Sequence, residues 1–302
     1  MIRFIQALLI LSFSAGIRGA DQTKPVLSVS QQSNYDVVRK YVSDHYTDVF
    51  RNASGELEFP YLVPAGPYEQ CWDWDSVFTG VALLDFGSAP YLAGSMMNFF
   101  QQTNLSTGDV TICVDPTDPH PSCSSRNDSD AVAAHAKPLL IQGALIAAQA
   151  MDDFDQFRPF DDAMEATLSY WNTTRRDPTT GLYSWHDSME SGADNLATWS
   201  CPSSRSDCWV EAGDGDSIAS SDVMTQLARE HLAYATFCET WAAASARGTK
   251  DTDLEAKAIG HRSAAAEVVA TMNKWLYNND LGRYMAFNVT SQTAVLNNVY
   301  LM

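Results

Sequence analysis

The sequence predicts an all-α fold, and three observations carry that expectation. Apolar side chains recur at three- and four-residue spacing through most of the chain. Helix stop and start signals, such as Gly87 and Pro90, fall where those periodic runs end and begin. Period-two alternation is short at most, so strands are expected only as small pieces. With 302 residues, 45% of them hydrophobic, the chain can bury a large core.

Taken in order, residues 33 to 50 set Val38, Tyr41, Val42, Tyr46, Val49 and Phe50 on one helical face, ending near Asn52-Ala-Ser-Gly55. Residues 56 to 71 are rich in proline and glycine and read as an extended loop. Trp74, Val77, Phe78, Val81 and Leu84 make the next helix, with Gly87 beyond its end. Another helix runs from Pro90 to about Gln102. The Pro-, Ser- and Asp-rich stretch 105 to 130 reads as a surface excursion clipped by a disulfide. Helices are expected at 131 to 152, at 159 to 173, from Ser221 through Trp241, and at 252 to 277. A turn follows Trp171 as Arg175-Arg-Asp177-Pro-Thr-Thr-Gly181-Leu-Tyr183. A similar one follows Trp275 as Asn279-Asp280-Leu-Gly282-Arg-Tyr284, with Arg51-Asn-Ala-Ser-Gly55 a weaker third. That spacing suits repeated antiparallel helix pairs, although helix ends share this turn chemistry in any case.

Composition narrows the function. A formal charge of −18 would repel nucleic acid, and without a cationic face a neutral substrate is favoured over an anionic one. Residues 1 to 20 carry Arg3, an apolar run from Phe4 to Phe13 and small residues around Gly16 and Gly19, the order of a secretory signal peptide. No later stretch has the length of a membrane span, so the mature product is expected to be soluble, in a secretory lumen or outside the cell. Among Cys71, Cys113, Cys123, Cys201, Cys208 and Cys238, the close pairs 113/123 and 201/208 would each close a short loop. Cys71 and Cys238 either pair across the fold or stay as buried thiols. Sequons at Asn52, Asn104, Asn127, Asn172 and Asn288 fit the same route. Metal-binding spacings are absent, Asp214-Gly215-Asp216 reads as a turn, and no metal or cofactor is expected.

Two polar stretches carry the chemistry. Tyr68-Glu69-Gln70-Cys71-Trp72-Asp73-Trp74-Asp75 combines indole faces, which stack on the C–H face of a sugar, with carboxylates that accept from its hydroxyls. Trp185-His186-Asp187-Ser188-Met189-Glu190-Ser191-Gly192-Ala193-Asp194-Asn195 sets two acids four residues apart around a small turn. Gly192 and Ala193 let a ligand approach the backbone, and Asp194 beyond them could protonate a leaving group. The same stretch also fits a helix N-terminus capped by Asp194 or Asn195. Adjacent His186 and Asp187 do not present themselves to each other as a hydrolase relay requires, and no G-x-S-x-G elbow is present.

Trp72-Asp73-Trp74-Asp75-Ser76, Lys137-Pro138 with Gln142, and Glu190-Ser-Gly-x-Asp194-Asn resemble the inverting glycosidases that include trehalase, the processing α-glucosidases of glycoside hydrolase family 63, and mannosylglycerate hydrolase. The mannosylglycerate hydrolase-like branch is the nearest likeness. The resemblance implies an (α/α)6 toroid, with residues 21 to 302 forming the N-terminal part of one such domain. It also implies inverting hydrolysis of an α-linked glucosyl or mannosyl bond in a small glycoside or oligosaccharide. It casts Asp194 as the general acid, with its proton retained through the aromatic surroundings of Trp185 and Trp199, and Glu190 as a supporting residue. Tyr68, Trp72, Asp73, Trp74 and Asp75 become a sugar-binding wall, joined by Gln142, by the backbone of Gly192 and, on a loose match, by Arg229. The family's water-activating glutamate lies far downstream, so the expectation is that it falls beyond Met302 and that the chain is a part of the domain. A carbohydrate-binding protein that keeps the wall without turnover is the alternative.

Overall fold

The computed structural model describes residues 28–65, 68–117, 135–185, 188–192, 218–244 and 251–295. The all-α expectation holds, with strands of two or three residues each. Helix α1 (Val29–His45) starts four residues earlier than its apolar pattern, because Ser28 and Gln31 form a reciprocal capping box. It buries none of its residues. Its C-terminal end is anchored through a 3₁₀ turn, where Tyr46 packs on Phe50 and Phe86, and Phe50 stacks on Tyr91 at 4.2 Å.

Residues 57 to 63 run extended as expected, but Leu57, Tyr61, Leu62 and Val63 are fully buried. Strand β1 (Phe50–Arg51) pairs antiparallel with β2 (Tyr61–Leu62), and β3 (Cys71–Trp72) with β4 (Cys113–Val114). The second pairing corrects the surface reading of 105 to 130: Val110, Ile112, Cys113 and Val114 belong to the core. Local composition had outweighed a short apolar run that only a distant strand could satisfy.

Helix α2 (Asp73–Ala82) follows β3 directly, so the first aromatic motif sits at a helix N-terminus. Gly87 takes a left-handed φ of 84° just after the turn that ends it. Helix α3 (Ala89–Gln101) carries Pro90 in its first turn. Helix α4 (Leu140–Met151) begins nine residues later than periodicity suggests. The backbones of His135 and Ala136 bond instead to Val110 and Thr111, and Pro138 disfavours a helical Lys137. Helix α5 (Asp161–Thr174) is preceded by a 3₁₀ segment containing Pro159.

Helices α6 (Ser221–Ala244) and α7 (Thr252–Trp275) make the most extensive helix–helix contact, and α4 packs against both α3 and α6. β5 (Ser184–Trp185), β6 (Ile218–Ala219), β9 (Ala286–Asn288) and β10 (Thr293–Val295) form one antiparallel sheet in the order β10-β9-β6-β5. The repeated turn is real in geometry. Arg176 bridges Tyr183 after α5, β7 (Tyr277–Asn278) pairs with β8 (Arg283–Tyr284) after α7, and Ser54 bridges Leu57 after β1. Each of the three contains a left-handed glycine: Gly181, Gly282 or Gly55.

Cys71 and Cys238 are free and buried, which settles their open alternative in favour of thiols. The other expected pairs include Cys123, Cys201 and Cys208, which lie outside the described residues, as do the signal-like residues 1 to 20. Among the described residues no helix is long and apolar enough to cross a membrane.

Candidate active site

The N-terminus of α2 assembles the first motif. Trp72 is its extended N-cap and is held in register by Cys113 across the β3–β4 pair. It is half-buried, and its indole Nε1 has no acceptor among the described residues. Tyr68 is exposed, with its carbonyl accepting from Arg51 at 3.2 Å.

Asp73 departs from the expected sugar contact, because its side chain is fully buried. Its Oδ1 accepts from the Trp74 N–H at 2.7 Å and its Oδ2 from the Lys137 N–H at 2.8 Å. The Lys137 ammonium stands 3.4 Å from each oxygen. Both oxygens are engaged inside the protein, which makes Asp73 a strut rather than a ligand. Removing one partner from such a buried pair costs about 3–5 kcal/mol, so the strut is stiff.

The same ammonium lies 4.8 Å from the Trp74 ring centroid, a cation–π contact. Phe78 tilts against the Trp74 ring at 5.7 Å. Gly192 closes the ring of contacts. Its φ is 67°, and a side chain there would lie 2.7 Å from Trp74 ring atoms and 2.9 Å from Lys137 Cε. Only glycine fits, for reasons of both backbone strain and space. Gly192 ends a helical turn (Ser188–Ser191) in which Glu190 is fully buried and accepts from Arg175 through Nη2 at 2.7 Å and Nε at 3.1 Å. Glu190 is thus held in a buried ion pair with Arg175. His186, Asp187, Ala193, Asp194, Asn195 and Trp199 lie outside the described residues. Trp185 is buried against Trp171 at 5.6 Å, as a core residue.

Asp75 remains half-buried. Burial raises its pKa, the neighbouring Asp73 charge adds to that, and Lys137 opposes both. Gln142 sits in the first turn of α4 with its amide nitrogen committed to the Pro138 carbonyl at 2.8 Å and the Gln226 carbonyl at 3.1 Å. Its backbone N–H and that of Ile141 donate to the two oxygens of Glu230, each at 2.8 Å. Arg229, adjacent on α6, is half-buried rather than solvated, and desolvation lowers its pKa.

Three residues escaped the sequence reading, Glu230 as the cap of α4, Arg175 as the partner of Glu190, and His135, while Lys137 was read as a motif residue but not as the hub. The His135 ring stacks on Tyr170 at 3.7 Å and accepts the Val110 N–H through Nδ1 at 3.3 Å.

The described part of the site therefore brings together Trp74, Asp73, Lys137 and Gly192. The fold has relatives of known structure. Neutral trehalase Nth1 from Saccharomyces cerevisiae superimposes with a TM-score of 0.56 at 14% identity, over 78% of this chain and 50% of the trehalase. A GH63 mannosylglycerate hydrolase from Thermus thermophilus, solved in complex with glucose, gives 0.54 at 17% identity, over 85% of this chain and 68% of that enzyme. The present chain spans half the length of the trehalase. A comparison with curated protein sequences finds no match. At these identities the likeness establishes the six-hairpin glycosidase fold. A family model described as the mannosylglycerate hydrolase MGH1-like glycoside hydrolase domain matches residues 68–299, from the wall tyrosine through α7 and the last sheet. Fold, motif order and matched span agree, and the chain belongs to the mannosylglycerate hydrolase MGH1-like glycoside hydrolase family.

Proposed function

We propose that this chain acts in hydrolysis of an α-linked glucosyl or mannosyl bond of a small glycoside or oligosaccharide, with inversion. The observation that carries the reading is the contact of the Gly192 backbone with the Trp74 ring edge. It supports a reading in which Asp194, two residues further on, works beside the surface on which a sugar would stack. Asp194 is the general acid that protonates the departing oxygen. Water enters from the opposite face, activated by a second carboxylate that in inverting enzymes stands roughly 6.5–9.5 Å away. We assign that base to none of the described residues.

Within the wall, Tyr68, Trp72 and Trp74 offer faces, and Asp75 is the half-buried carboxylate that accepts from a sugar hydroxyl. We keep Gln142 and Arg229 as further candidates for polar contact with the sugar. Residues 21 to 302 belong to one glycoside hydrolase domain, which takes a secretory route with loss of residues 1 to 20.

The test is turnover of α-glucosides and α-mannosides, with product anomers followed by NMR. The expected result is inverted product, with Asp194→Asn lowering kcat by at least about 100-fold on a poor leaving group while sugar affinity holds. Sugar binding without turnover in the parent protein would make it a carbohydrate-binding relative instead. Wild-type rates for Asp194→Asn would remove the acid assignment.

A further inference from the structure

We propose that the buried Asp73–Lys137 pair is the positioning unit of the sugar wall, holding the Trp74 ring and the half-buried Asp75 carboxylate in readiness for a sugar hydroxyl. The inference rests on the reading of the wall as a sugar site, but its geometry stands independently.

Lys137 is 3% exposed and Asp73 not at all, so the pair has no contact with solvent to make. From that position the one ammonium reaches three things. It lies 3.4 Å from both Asp73 oxygens and 4.8 Å over the Trp74 ring, and the Lys137 Cε leaves no room for a Cβ at Gly192. The backbone N–H groups of Trp74 and Lys137 both donate to Asp73, which fixes the first turn of α2 relative to the strap that precedes α4. Sixty-four residues separate the partners, so the unit exists only in the folded chain.

Among the described residues the groups that act on Asp75 are few, and the Trp74 side chain hydrogen-bonds to its carboxylate. Asp73 lies two residues before it on α2, and Lys137 stands ahead of α4. The Cys71 thiol on β3 is pushed up to about 12 by burial and so stays neutral. The buried face of α3 carries no charged side chain. The two members of the pair therefore act on Asp75 with opposite sign, the anion discouraging its ionisation and the cation favouring it.

The experiment follows the Asp75 carboxyl by ¹³C NMR in the full chain labelled with [¹³Cγ]aspartate, with Asp75→Asn identifying its resonance. No sugar is present, so an absence of glucose binding counts against the proposed function alone. Asp73→Asn is expected to lower the Asp75 titration midpoint by about one pH unit, and Lys137→Met to raise it by about one unit. Both single variants lose thermal stability, and the double variant Asp73→Asn/Lys137→Met recovers most of it with a midpoint near that of the parent. If Lys137→Met does not fold, Asp73→Asn against the double variant reads the same sign. Loss of stability in the single variants with no movement of the Asp75 midpoint would reduce the pair to a structural strut and overturn the proposal.

Discussion

Two neighbours on α6 show how burial gives adjacent side chains opposite pH behaviour. Glu230 is buried and its carboxyl is pushed up to about 7, chiefly by desolvation and against the pull of the Ile141 and Gln142 N–H groups. His231 is buried too, and desolvation followed by the His261 charge lowers it to about 4. The stability contribution of Glu230 is complete below its ordinary value of 4.5 and is lost as pH climbs to about 7. That of His231 is complete above 6.5 and is lost as pH falls through about 4. Each shift corresponds to something on the order of 3 kcal/mol, so between pH 4.5 and 6.5 the two slopes largely cancel. Glu230→Gln should therefore give a melting temperature that rises with pH across this window, and His231→Gln one that falls. Circular dichroism melts across the window read the signs directly. Two variant profiles parallel to the parent would mean that neither group titrates as its burial dictates.

At the scale of elements, glycines report how closely helices approach their neighbours. Gly94 on α3 lies under the segment leading into β2, where an added Cβ would clash with the Pro60 carbonyl oxygen. The same surface is tied by Leu62 N–H to Ser95 at 2.9 Å and by paired bonds between Phe59 and Asn98. Neither backbone can yield without breaking these, so Gly94→Ala should cost about 3 kcal/mol or more. Gly260 on α7 meets nothing within 4 Å, and there alanine removes only chain entropy and should stabilise by about 0.5–1 kcal/mol. Urea unfolding of the two variants is expected to show opposite signs. A destabilised Gly260→Ala would mean that α7 is not the open helix described.

The whole molecule leaves apolar surface on α1 and α7. Val29, Val37 and Tyr41 on α1 are 89%, 67% and 66% exposed, and Ile259 on α7 is 70% exposed. A helix with this pattern and no buried residue has its apolar stripe facing water, which favours contact with other molecules. The 302-residue chain is expected to associate as its concentration rises, and Val37→Lys with Tyr41→Lys to shift it toward monomer. Sedimentation velocity across a concentration series measures this. A parent chain that stays monomeric throughout would show these faces to be harmless.

The sequence by itself determined the helices and the two polar motifs, because periodicity, caps and breakers act within a few residues. Pro90, Gly87 and the Trp72–Asp75 run could be read without knowing any neighbour. Tertiary structure alone decided what the motif residues do. Asp73 turned from sugar contact to strut through Lys137, 64 residues away. Gln142 was fixed by Glu230, 88 residues away, and Val110 to Val114 became core by pairing with β3. In each case the deciding quantity is burial with a distant partner, and desolvation becomes a cost, or a charge becomes a support, only once that partner is in place.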